Sequence, residues 1–535
     1  MNATSAPPAP LPDATVALRV QNQADQLRAC LDSLFAQTLG AARTQIVAVD
    51  DGSTDSVGSL LRDVAADRPE LLTVELPQRG PTPAEARNAA IEHTRGRYVI
   101  FLDACDQLAP DALERMVRAA DRNEADVVLG KPAALGRRAV PTAMFRKSSA
   151  YAAPLTSKVY WTLTPDKLFR TELLRRAELS FPTDLRFGED QPFTAAAYLA
   201  ADAVSVLADS PCVLKGSPAP PASPVGPSDR VVLAERMMSM VHSLVPDGPG
   251  RDRLLSRHLE VELGKATGRA LLAEDSSEER RRTLSHAESV LNTLATPGSL
   301  ALLPRPLAVR YALLAAGHHE HAVRMAEYSA ATGNPAPKKV VEGGKVFAAL
   351  PYFRDPAVEL PDSVFDITGQ MKVMMELQKL RWDGPLLHLE GFAFFDQLST
   401  ASRRTHVVLR HRATGAEERY PVTAHRDDKL VNSKGRPRAM GRFATRVNLA
   451  QSSDGWPLAP GIWDVLLSVS FEGVTREVPL GAQRAATVDV VSRLPHILGP
   501  APRTEGHQLI AVPAYTEKDH LMLEISERLP LHQPG

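Results

Sequence analysis

Positions 46–55 read Ile46-Val47-Ala48-Val49-Asp50-Asp51-Gly52-Ser53-Thr54-Asp55. The four apolar residues predict a buried strand, and the acids and the glycine after them predict a polar turn where that strand ends. In an open α/β sheet, ligands bind at the carboxyl ends of the strands. The stretch therefore predicts two carboxylates, Asp50 and Asp51, at a ligand-binding edge, although a plain surface turn has the same composition.

Strand-like and helix-like stretches alternate from residue 15 to about residue 216. Apolar runs predict strands at 16–20, 46–49, 71–76 and 98–102, and apolar residues at helical spacing predict helices at 26–37, 57–66 and 84–93. This order predicts an α/β fold with a doubly wound, mostly parallel sheet.

The pattern changes twice further along the chain. Residues 217–227 are rich in Pro, Ser and Gly, which predicts a linker or a mobile loop, and the runs at 231–244, 254–272 and 277–294 are helical in pattern. We interpret the helical part as a connector or an oligomerisation element. Short strands at 386–394, 405–410 and 462–469 predict a C-terminal β-sandwich. The predicted domains are 14–216, 217–345 and 346–535.

Composition excludes several classes of protein. A chain of 535 residues is too long for a single core. The net charge of −1 provides no basic field for nucleic acid. Cys30, Cys105 and Cys212 lie far apart and form neither a disulfide framework nor a zinc pattern, which indicates a reducing cytoplasm. Residues 1–13 do not resemble a signal peptide, and no apolar run is long enough to span a bilayer. We therefore expect a cytoplasmic protein with at most peripheral contact, at the inner face of the membrane.

Four motifs occur in order in the predicted α/β domain. After the Asp50–Asp55 turn come Gly80 with Ala86-Arg87-Asn88-Ala89-Ala90, then Asp103-Ala104-Cys105-Asp106, then Gly188-Glu189-Asp190-Gln191-Pro192-Phe193. The stretch Asp166-Lys167-Leu168-Phe169-Arg170 precedes the last motif. As a set, in this order and spacing, they closely resemble the family-two glycosyltransferases with the GT-A fold.

The resemblance implies a donor site for a UDP-sugar. The residues that it places there are Asn22, Asp50, Asp51, Arg87, Asn88 and Asp103. Asp51 would bind the uracil or ribose side, Asp103 would approach the ribose or the donor sugar, and Arg87 would contact the diphosphate. A cation is needed because negative charge develops on the leaving phosphate. The simpler alternative for Arg87 is a solvated arginine on a helix.

The Gly188-Glu189-Asp190 motif matches the part of the family that supplies the catalytic base. Inversion needs a carboxylate beside the acceptor hydroxyl, on the face opposite the leaving group, and the resemblance assigns this role to Asp190. Glu189 would support the site or contact the acceptor. Both acids also suit the first turn of a helix, where negative charge is favourable. Trp161 falls in a region where the family often contacts the acceptor or sugar, although a lone Trp is more often part of a core.

The metal prediction depends on a departure from the family pattern. The family usually has Asp-x-Asp-Asp at 103–106, and Cys105 replaces the Asp that commonly binds the metal. A thiol is a poor ligand for Mg²⁺. Three alternatives follow: Asp106 coordinates the ion together with Asp103, the enzyme uses Mn²⁺ or no metal, or the domain has lost catalysis. Arg19, Gln21 and Ala89 are further departures, at positions where the family commonly has Pro, an aromatic residue and Gly.

The layout of the whole chain is similar to that of the polyol-phosphate glycosyltransferases of wall teichoic acid. We therefore expect an inverting enzyme that transfers a sugar to a hydroxyl of a cell-surface glycan, polyol-phosphate polymer or glycolipid, and that associates into a homo-oligomer. The aromatic residues of the tail would stack on sugars or fill the sandwich core: Phe392, Phe394, Phe395, Trp456 and Trp463.

Two other classes of protein remain open. Cys105 favours a scaffold that binds nucleotide sugars or glycans without catalysis. A nucleotidyltransferase lacks support, since no Gly-rich basic loop lies near the N-terminus. The enzyme hypothesis requires that Asp51, Asp103 and Asp190 converge at one site.

Overall fold

A computed structural model describes residues 11–529 except 79, 81, 137–138, 218–223, 274–277, 334–335, 399–402, 433–434 and 502–503. The chain divides into two compact units, residues 1–333 and 334–535. The helical region lies in the same unit as the α/β sheet, and the division into three domains stays a prediction. Most of the Pro-rich segment at 217–227 lies outside the described residues.

The first unit is built on a mixed, mostly parallel sheet. Its strands are β1 (Ala14–Val20), β2 (Thr44–Asp50), β3 (Leu71–Glu75), β4 (Tyr98–Asp103), β5 (Gln107–Leu108), β6 (Val127–Gly130), β7 (Pro132–Ala134), β8 (Leu168–Arg170), β9 (Val204–Leu207) and β10 (Val213–Lys215). The main sheet has the order β3-β2-β1-β4-β8-β6-β9. Strand β8 runs antiparallel to both of its neighbours, and the other pairs are parallel. All seven residues of β2 are buried, which is why its central residues, 46–49, form a continuous apolar run.

A second, small sheet has the order β5-β10-β7. Its strands contain only two or three residues each, too few for a periodic pattern, and the sequence did not predict them. This sheet matters for the site because it attaches the end of β10 to the turn that follows β4.

Helices cover the main sheet and continue beyond it. They are α1 (Ala24–Phe35), α2 (Val57–Asp67), α3 (Ala84–Glu92), α4 (Ala112–Arg122), α5 (Thr171–Arg176), α6 (Asp190–Ala200), α7 (Pro227–Leu244), α8 (Pro249–His258), α9 (Gly264–Leu272), α10 (Glu278–Leu294), α11 (Pro297–Ala301), α12 (Arg305–Ala315) and α13 (His319–Thr332). A π-helical turn, Leu259–Leu263, joins α8 to α9. In α1 the buried residues Leu27, Leu31 and Leu34 keep the helical spacing that predicted it. Among the described helices, none is both long and apolar enough to cross a membrane.

Helix α7 packs on the glycine that precedes the two acids of the last motif. Gly188 has a φ of 74°, and a Cβ added there would lie 2.4 Å from Cδ2 of Leu233 in α7. Glycine is therefore required at this position by its backbone conformation and by the close approach of the helix. The contact ties the helical region to the start of α6.

Gly188→Ala is expected to lower the free energy of unfolding through two terms. The left-handed backbone contributes about 1–2 kcal/mol, and overpacking against Leu233 contributes about 1–3 kcal/mol more. Gly333→Ala is the matched control, because Gly333 is left-handed with a φ of 61° and has no atom within 4 Å of an added Cβ. Urea unfolding of both variants measures the difference, and equal losses would show that Leu233 yields at no cost.

The second unit consists of antiparallel strands. They are β11 (Lys338–Glu342), β12 (Lys345–Ala349), β13 (Val373–Asp383), β14 (Leu386–Phe395), β15 (Arg403–His411), β16 (Glu417–Pro421), β17 (Thr423–His425), β18 (Arg442–Asn448), β19 (Gly461–Phe471), β20 (Val474–Pro479), β21 (His496–Pro500), β22 (Gln508–Tyr515) and β23 (Leu521–Arg528). β11 and β12 form a hairpin. A four-stranded sheet has the order β13-β14-β18-β17, and a seven-stranded sheet has the order β16-β15-β19-β23-β22-β21, with β20 paired to β19.

The tail aromatics divide between core and surface. Phe394, Phe395 and Trp463 are buried, which agrees with the interpretation that they fill the core. Phe392 is half-buried. Trp456 is 64% exposed, so its ring is accessible to a ligand. The predicted fold class, an α/β domain followed by helices and a β domain, is confirmed.

Candidate active site

The carboxyl ends of three neighbouring strands carry the first group of charged side chains. The register places Arg19 of β1 opposite Val49 of β2 and opposite Asp103 of β4. Asp50 ends β2, and Asp51 follows it directly. Because β1 lies between β2 and β4, the sequence-distant acids of the first and third motifs meet at one edge of the sheet.

Asp51 is fully buried, and its carboxylate is held from two directions. Arg19 Nε donates to Asp51 Oδ2 at 2.9 Å, and the amide of Gly80 donates to Asp51 Oδ1 at 3.2 Å. Arg19 is therefore an ion-pair partner of the predicted nucleoside-binding residue. The sequence showed Arg19 only as a departure from the family pattern and gave it no role.

The turn after β2 is ordered by its own polar side chains. The Ser53 amide donates to Asp50 Oδ1 at 2.9 Å, and the Thr54 amide donates to Asn22 Oδ1 at 2.9 Å. Asn22 has a φ of 55°, a conformation that Asn tolerates better than most residues. In this structure Asp50 and Asn22 fix the shape of the turn, and their donor contacts stay predictions.

Arg87 joins the end of β4 to the start of α6. Its side chain is buried; Nη1 donates to Glu189 Oε1 at 2.8 Å, and Nη2 donates to Asp103 Oδ1 at 3.4 Å. The alternative of a solvated helix arginine is therefore wrong. Burial acts to raise the pKa of Asp103, but the positive charges of Arg87, Arg19 and Lys215 outweigh it and lower the pKa. Asp103 is consequently ionised at neutral pH.

Asp190 is the first residue of α6 and is only partly accessible. Burial of its carboxyl group, followed by the negative charge of Glu189, raises its pKa to about 7, although Arg87 and Lys167 oppose the shift. Asp103 also acts on it electrostatically. Ion pairing and electrostatic interactions thus link Asp51 to Arg19, Arg19 and Arg87 to Asp103, and Arg87 to Asp190. The convergence of the three acids at one substrate site stays a prediction.

Asn88 acts on the backbone of Phe181 in this structure. Its Nδ2 donates to the Phe181 carbonyl and its Oδ1 accepts from the Phe181 amide, both at 2.8 Å. The Phe181 ring stacks on Phe193 of α6, with 3.9 Å between ring centroids. Asn88 therefore helps to position α6, and these hydrogen bonds argue against the donor contact predicted for it.

Trp161 ends a 3-10 turn, Val159–Trp161, and is half-buried. Lys158 Nζ lies 5.5 Å from the centroid of its ring, close enough for a cation–π interaction. Part of the ring surface is accessible, so a fully buried core role does not apply. Its acceptor contact stays a prediction.

A buried polar cluster in the helical region reaches the residue after Asp190. Arg257 Nη1 donates to Gln191 Oε1 at 2.9 Å and to Glu262 Oε2 at 2.7 Å. His258 Nδ1 lies 3.0 Å from the same Glu262 oxygen. The cluster sits at the π-helical turn and holds the start of α6 from the helical side. The residues of this cluster form no linear sequence motif, so the sequence did not predict them.

The predicted metal ligands face positive groups. Lys215 Nζ forms an ion pair with Asp106 Oδ2, and the Gly216 amide donates to Asp106 Oδ1 at 2.9 Å. Asp103 pairs with Arg87. Divalent cations of this kind need several oxygen ligands, and a thiol at Cys105 is a poor substitute. Among the described residues no group of three or more His, Cys, Asp or Glu side chains is arranged to hold a metal ion. This donor set does not fit the divalent cation that the family resemblance suggests.

Comparison with known sequences assigns all three regions of the chain. The model of "Glycosyl transferase family 2" matches residues 15–173. The "Glycosyl transferase TarS linker domain" matches residues 228–326, and the "TarS beta-glycosyltransferase C-terminal domain 1" matches residues 368–525. A poly(ribitol-phosphate) beta-glucosyltransferase of Bacillus spizizenii is 26% identical over 486 residues, which cover 88% of this chain and 72% of the relative.

Solved structures show the same fold. The crystal structure of Staphylococcus aureus TarS has a TM-score of 0.56 and 20% identity, over 96% of this chain and 85% of TarS. TarS residues 1–349, solved in complex with UDP-GlcNAc, have a TM-score of 0.56 and 23% identity, over 64% of this chain and 97% of that fragment. The sequence-family matches show that this chain has a family 2 glycosyltransferase domain, followed by the linker and C-terminal domains of the TarS type.

Proposed function

We propose that this glycosyltransferase transfers a sugar from a UDP-sugar to a hydroxyl of a polyol-phosphate polymer, with inversion at the anomeric carbon. The observation that carries the proposal is the contact of Arg87 with both Asp103 and Glu189, beside Asp190. It brings a cation, a donor-side carboxylate and a carboxylate of raised pKa together at the carboxyl edge of the sheet, where ligands bind in this class of fold.

Each group has a distinct part in the proposed reaction. Asp190 removes the proton from the acceptor hydroxyl, whose oxygen attacks the anomeric carbon while the bond to the β-phosphate oxygen breaks. Arg87 faces the negative charge that develops on the departing UDP. Asp103, whose side chain is partly exposed, contacts the ribose or the sugar. The buried Asp51 carboxylate contacts the nucleoside by exchanging the Gly80 amide for it, while Arg19 keeps the carboxylate oriented. Glu189 holds Arg87 in place.

The substrates are suggested by the relatives. The B. spizizenii protein is named for glucosyl transfer to poly(ribitol phosphate), and the TarS fragment was solved with UDP-GlcNAc. UDP-glucose and UDP-GlcNAc are therefore the first donors to examine, with a poly(ribitol phosphate) acceptor. The exposed Trp456 in the β domain suits contact with such a polymer.

The test is an assay of UDP release with each donor, with and without the acceptor. We expect release that depends on the acceptor with one of the two donors, and a β-linked product by NMR from the α-linked donor. Donor hydrolysis that the polymer does not stimulate would count against a polymer acceptor. An α-linked product would rule out single-displacement inversion.

The rate of transfer is expected to depend on pH through Asp190. Its pKa of about 7 lies above the ordinary value for Asp, so the carboxyl group is protonated, and unable to act as a base, below that pH. Because this pKa is that of the free enzyme, kcat/KM should rise about tenfold per pH unit below 7 and level off above it. A kcat/KM profile from pH 5.5 to 8.5 measures this. A flat profile would contradict the assignment of the base.

Three narrower points belong to this proposal. A cytoplasmic place of action at the inner face of the membrane accords with the buried cysteines Cys30, Cys105 and Cys212, which lie far apart in the sequence. The proposed function also includes association of the chain into a homo-oligomer. Family membership suggests divalent metal use, although the groups around Asp106 suit neither Mg²⁺ nor Mn²⁺. The scaffold alternative is not favoured, since Arg87, Glu189 and Asp190 keep an arrangement that catalysis needs.

A further inference from the structure

The fold places a lysine where the resemblance expects a metal. In the small sheet, Val213 of β10 pairs with Leu108 of β5, and Leu214 pairs with Gln107. The next position on each strand places Lys215 beside Asp106. The following residue, Gly216, approaches so closely that an added Cβ would lie 1.9 Å from the Cys105 carbonyl oxygen. Glycine at 216 thus permits the end of β10 to press against the turn after β4.

The ammonium group of Lys215 is fixed between two carboxylates. It pairs with Asp106 and lies 3.2 Å from Asp166 Oδ2. The side chain of Lys215 is only 11% exposed, so these two carboxylates hold the ammonium group in a buried position. Lys215 also lines a cavity of about 70 Å³ together with Asp166 and Lys167.

We propose that the Lys215 ammonium takes the place of the divalent cation, so that this chain binds the diphosphate of its donor without a metal ion. The inference rests on the proposed function, since it concerns the diphosphate of the same donor.

Three cations converge on the end of β4. Arg87 pairs with Asp103, Arg19 lies opposite Asp103 in the register of β1 and β4, and Lys215 pairs with Asp106 three residues further along. Asp103 keeps 29% of its side-chain surface exposed, so this edge is accessible to a ligand. Lysine binds phosphate as a point charge, and arginine binds it through its planar fork. All three cations are paired with carboxylates in this structure, so they offer the diphosphate hydrogen-bond donors within a charge-compensated cluster.

The same arrangement disfavours a metal ion. A divalent cation bound to Asp106 would lie next to the Lys215 ammonium, and the two charges would repel each other at short range. Cys105 removes the carboxylate that would offset this repulsion, and its Sγ lies 3.7 Å from Asp106 Oδ1. Cys105 and Lys215 therefore act in the same direction: the cysteine lacks the carboxylate of a metal ligand, and the lysine places a positive charge beside Asp106.

Calorimetric titration of the full chain with UDP, in EDTA and in Mn²⁺, tests the inference. We expect the two dissociation constants to agree within about twofold. Lys215→Met should weaken UDP binding in EDTA by at least about tenfold, whereas Lys215→Arg, which keeps the charge and guards against a folding artefact, should retain most of it. Lys265→Met, at an exposed lysine on α9, is the matched control and should bind as the unaltered chain does.

A designed double variant provides the converse experiment. Cys105→Asp with Lys215→Ala adds a carboxylate and removes the ammonium, and UDP binding should then become at least about tenfold tighter with Mn²⁺ than with EDTA. Failure to gain this dependence would count against the role of Lys215.

The outcomes separate the inference from the proposed function. UDP binding by the unaltered chain that falls tenfold or more in EDTA would overturn the inference and leave the proposed function standing. Unchanged binding by Lys215→Met would also overturn it. Absence of UDP binding in both buffers would overturn the proposed function and, with it, the inference.

Discussion

Asp190→Asn is expected to lower kcat by at least about 100-fold while the dissociation constant for UDP stays within about twofold. The amide has nearly the same shape as the carboxyl group but cannot accept the proton of the acceptor hydroxyl. It also lacks the charge that Arg87 and Lys167 stabilise in the unaltered protein. UDP release measured with saturating donor and acceptor gives kcat, and calorimetry gives the affinity for UDP.

The matched control makes the same chemical change beyond the other end of α6. Asp202 has a side chain that is 83% exposed, and it pairs with Arg176 at the surface. Asp202→Asn should leave both kcat and UDP affinity unchanged, since surface ion pairs contribute little. If Asp190→Asn turned over at a near-normal rate, another group would have to be the base. If Asp190→Asn weakened UDP binding as much as it lowered kcat, Asp190 would act in donor binding.

Arg87→Met is the second change with a large expected effect. It removes the group that Glu189 and Asp103 both contact and leaves the buried Glu189 without this cation. Breaking a buried ion pair costs about 3–5 kcal/mol of unfolding free energy. Loss of a donor that faces the leaving group should lower kcat by about 100- to 1,000-fold. Urea unfolding and UDP release measure the two effects separately.

A double variant distinguishes the contribution of Arg87 to stability from its contribution to catalysis. In Arg87→Met with Glu189→Met, an apolar pair replaces the ion pair, and much of the stability should return. Transfer should remain slow, because the positive charge is still missing. Recovery of both stability and rate would show that Arg87 acts only in folding. Arg118→Met, at an exposed pair with Glu114 on α4, is the control and should change stability by less than about 1 kcal/mol.

The metal prediction illustrates the limit of what sequence motifs predict about this site. The sequence identified Cys105 as a departure and left three alternatives open: coordination by Asp106, use of Mn²⁺ or of no metal, and loss of catalysis. It could not show that Asp106 pairs with Lys215, because the two residues lie 109 positions apart and only the pairing of β10 with β5 brings them together. Strands of two or three residues leave too little periodic pattern to predict that pairing.

Arg19 and Asn88 illustrate the same limit of motif-based prediction. The motifs gave no role to Arg19 and a donor role to Asn88. Arg19 differs from the proline that is common in the family, and its partner Asp51 belongs to another motif, yet the register of β1 and β2 makes the two residues neighbours. The family resemblance places Asn88 at the donor. Successive residues on a helix point in different directions, and Asn88 reaches Phe181 instead.

The sequence by itself determined the class of fold and the identity of the acids, because burial of both faces of β2 demands a continuous apolar run and the ends of such strands need polar turns. These are local consequences of hydrophobicity and backbone geometry. The tertiary structure decided which charges meet. Arg87 bridges Asp103 and Glu189, and Lys215 reaches Asp106, since strand order and helix packing, and not separation along the chain, set the distances on which electrostatic interactions depend.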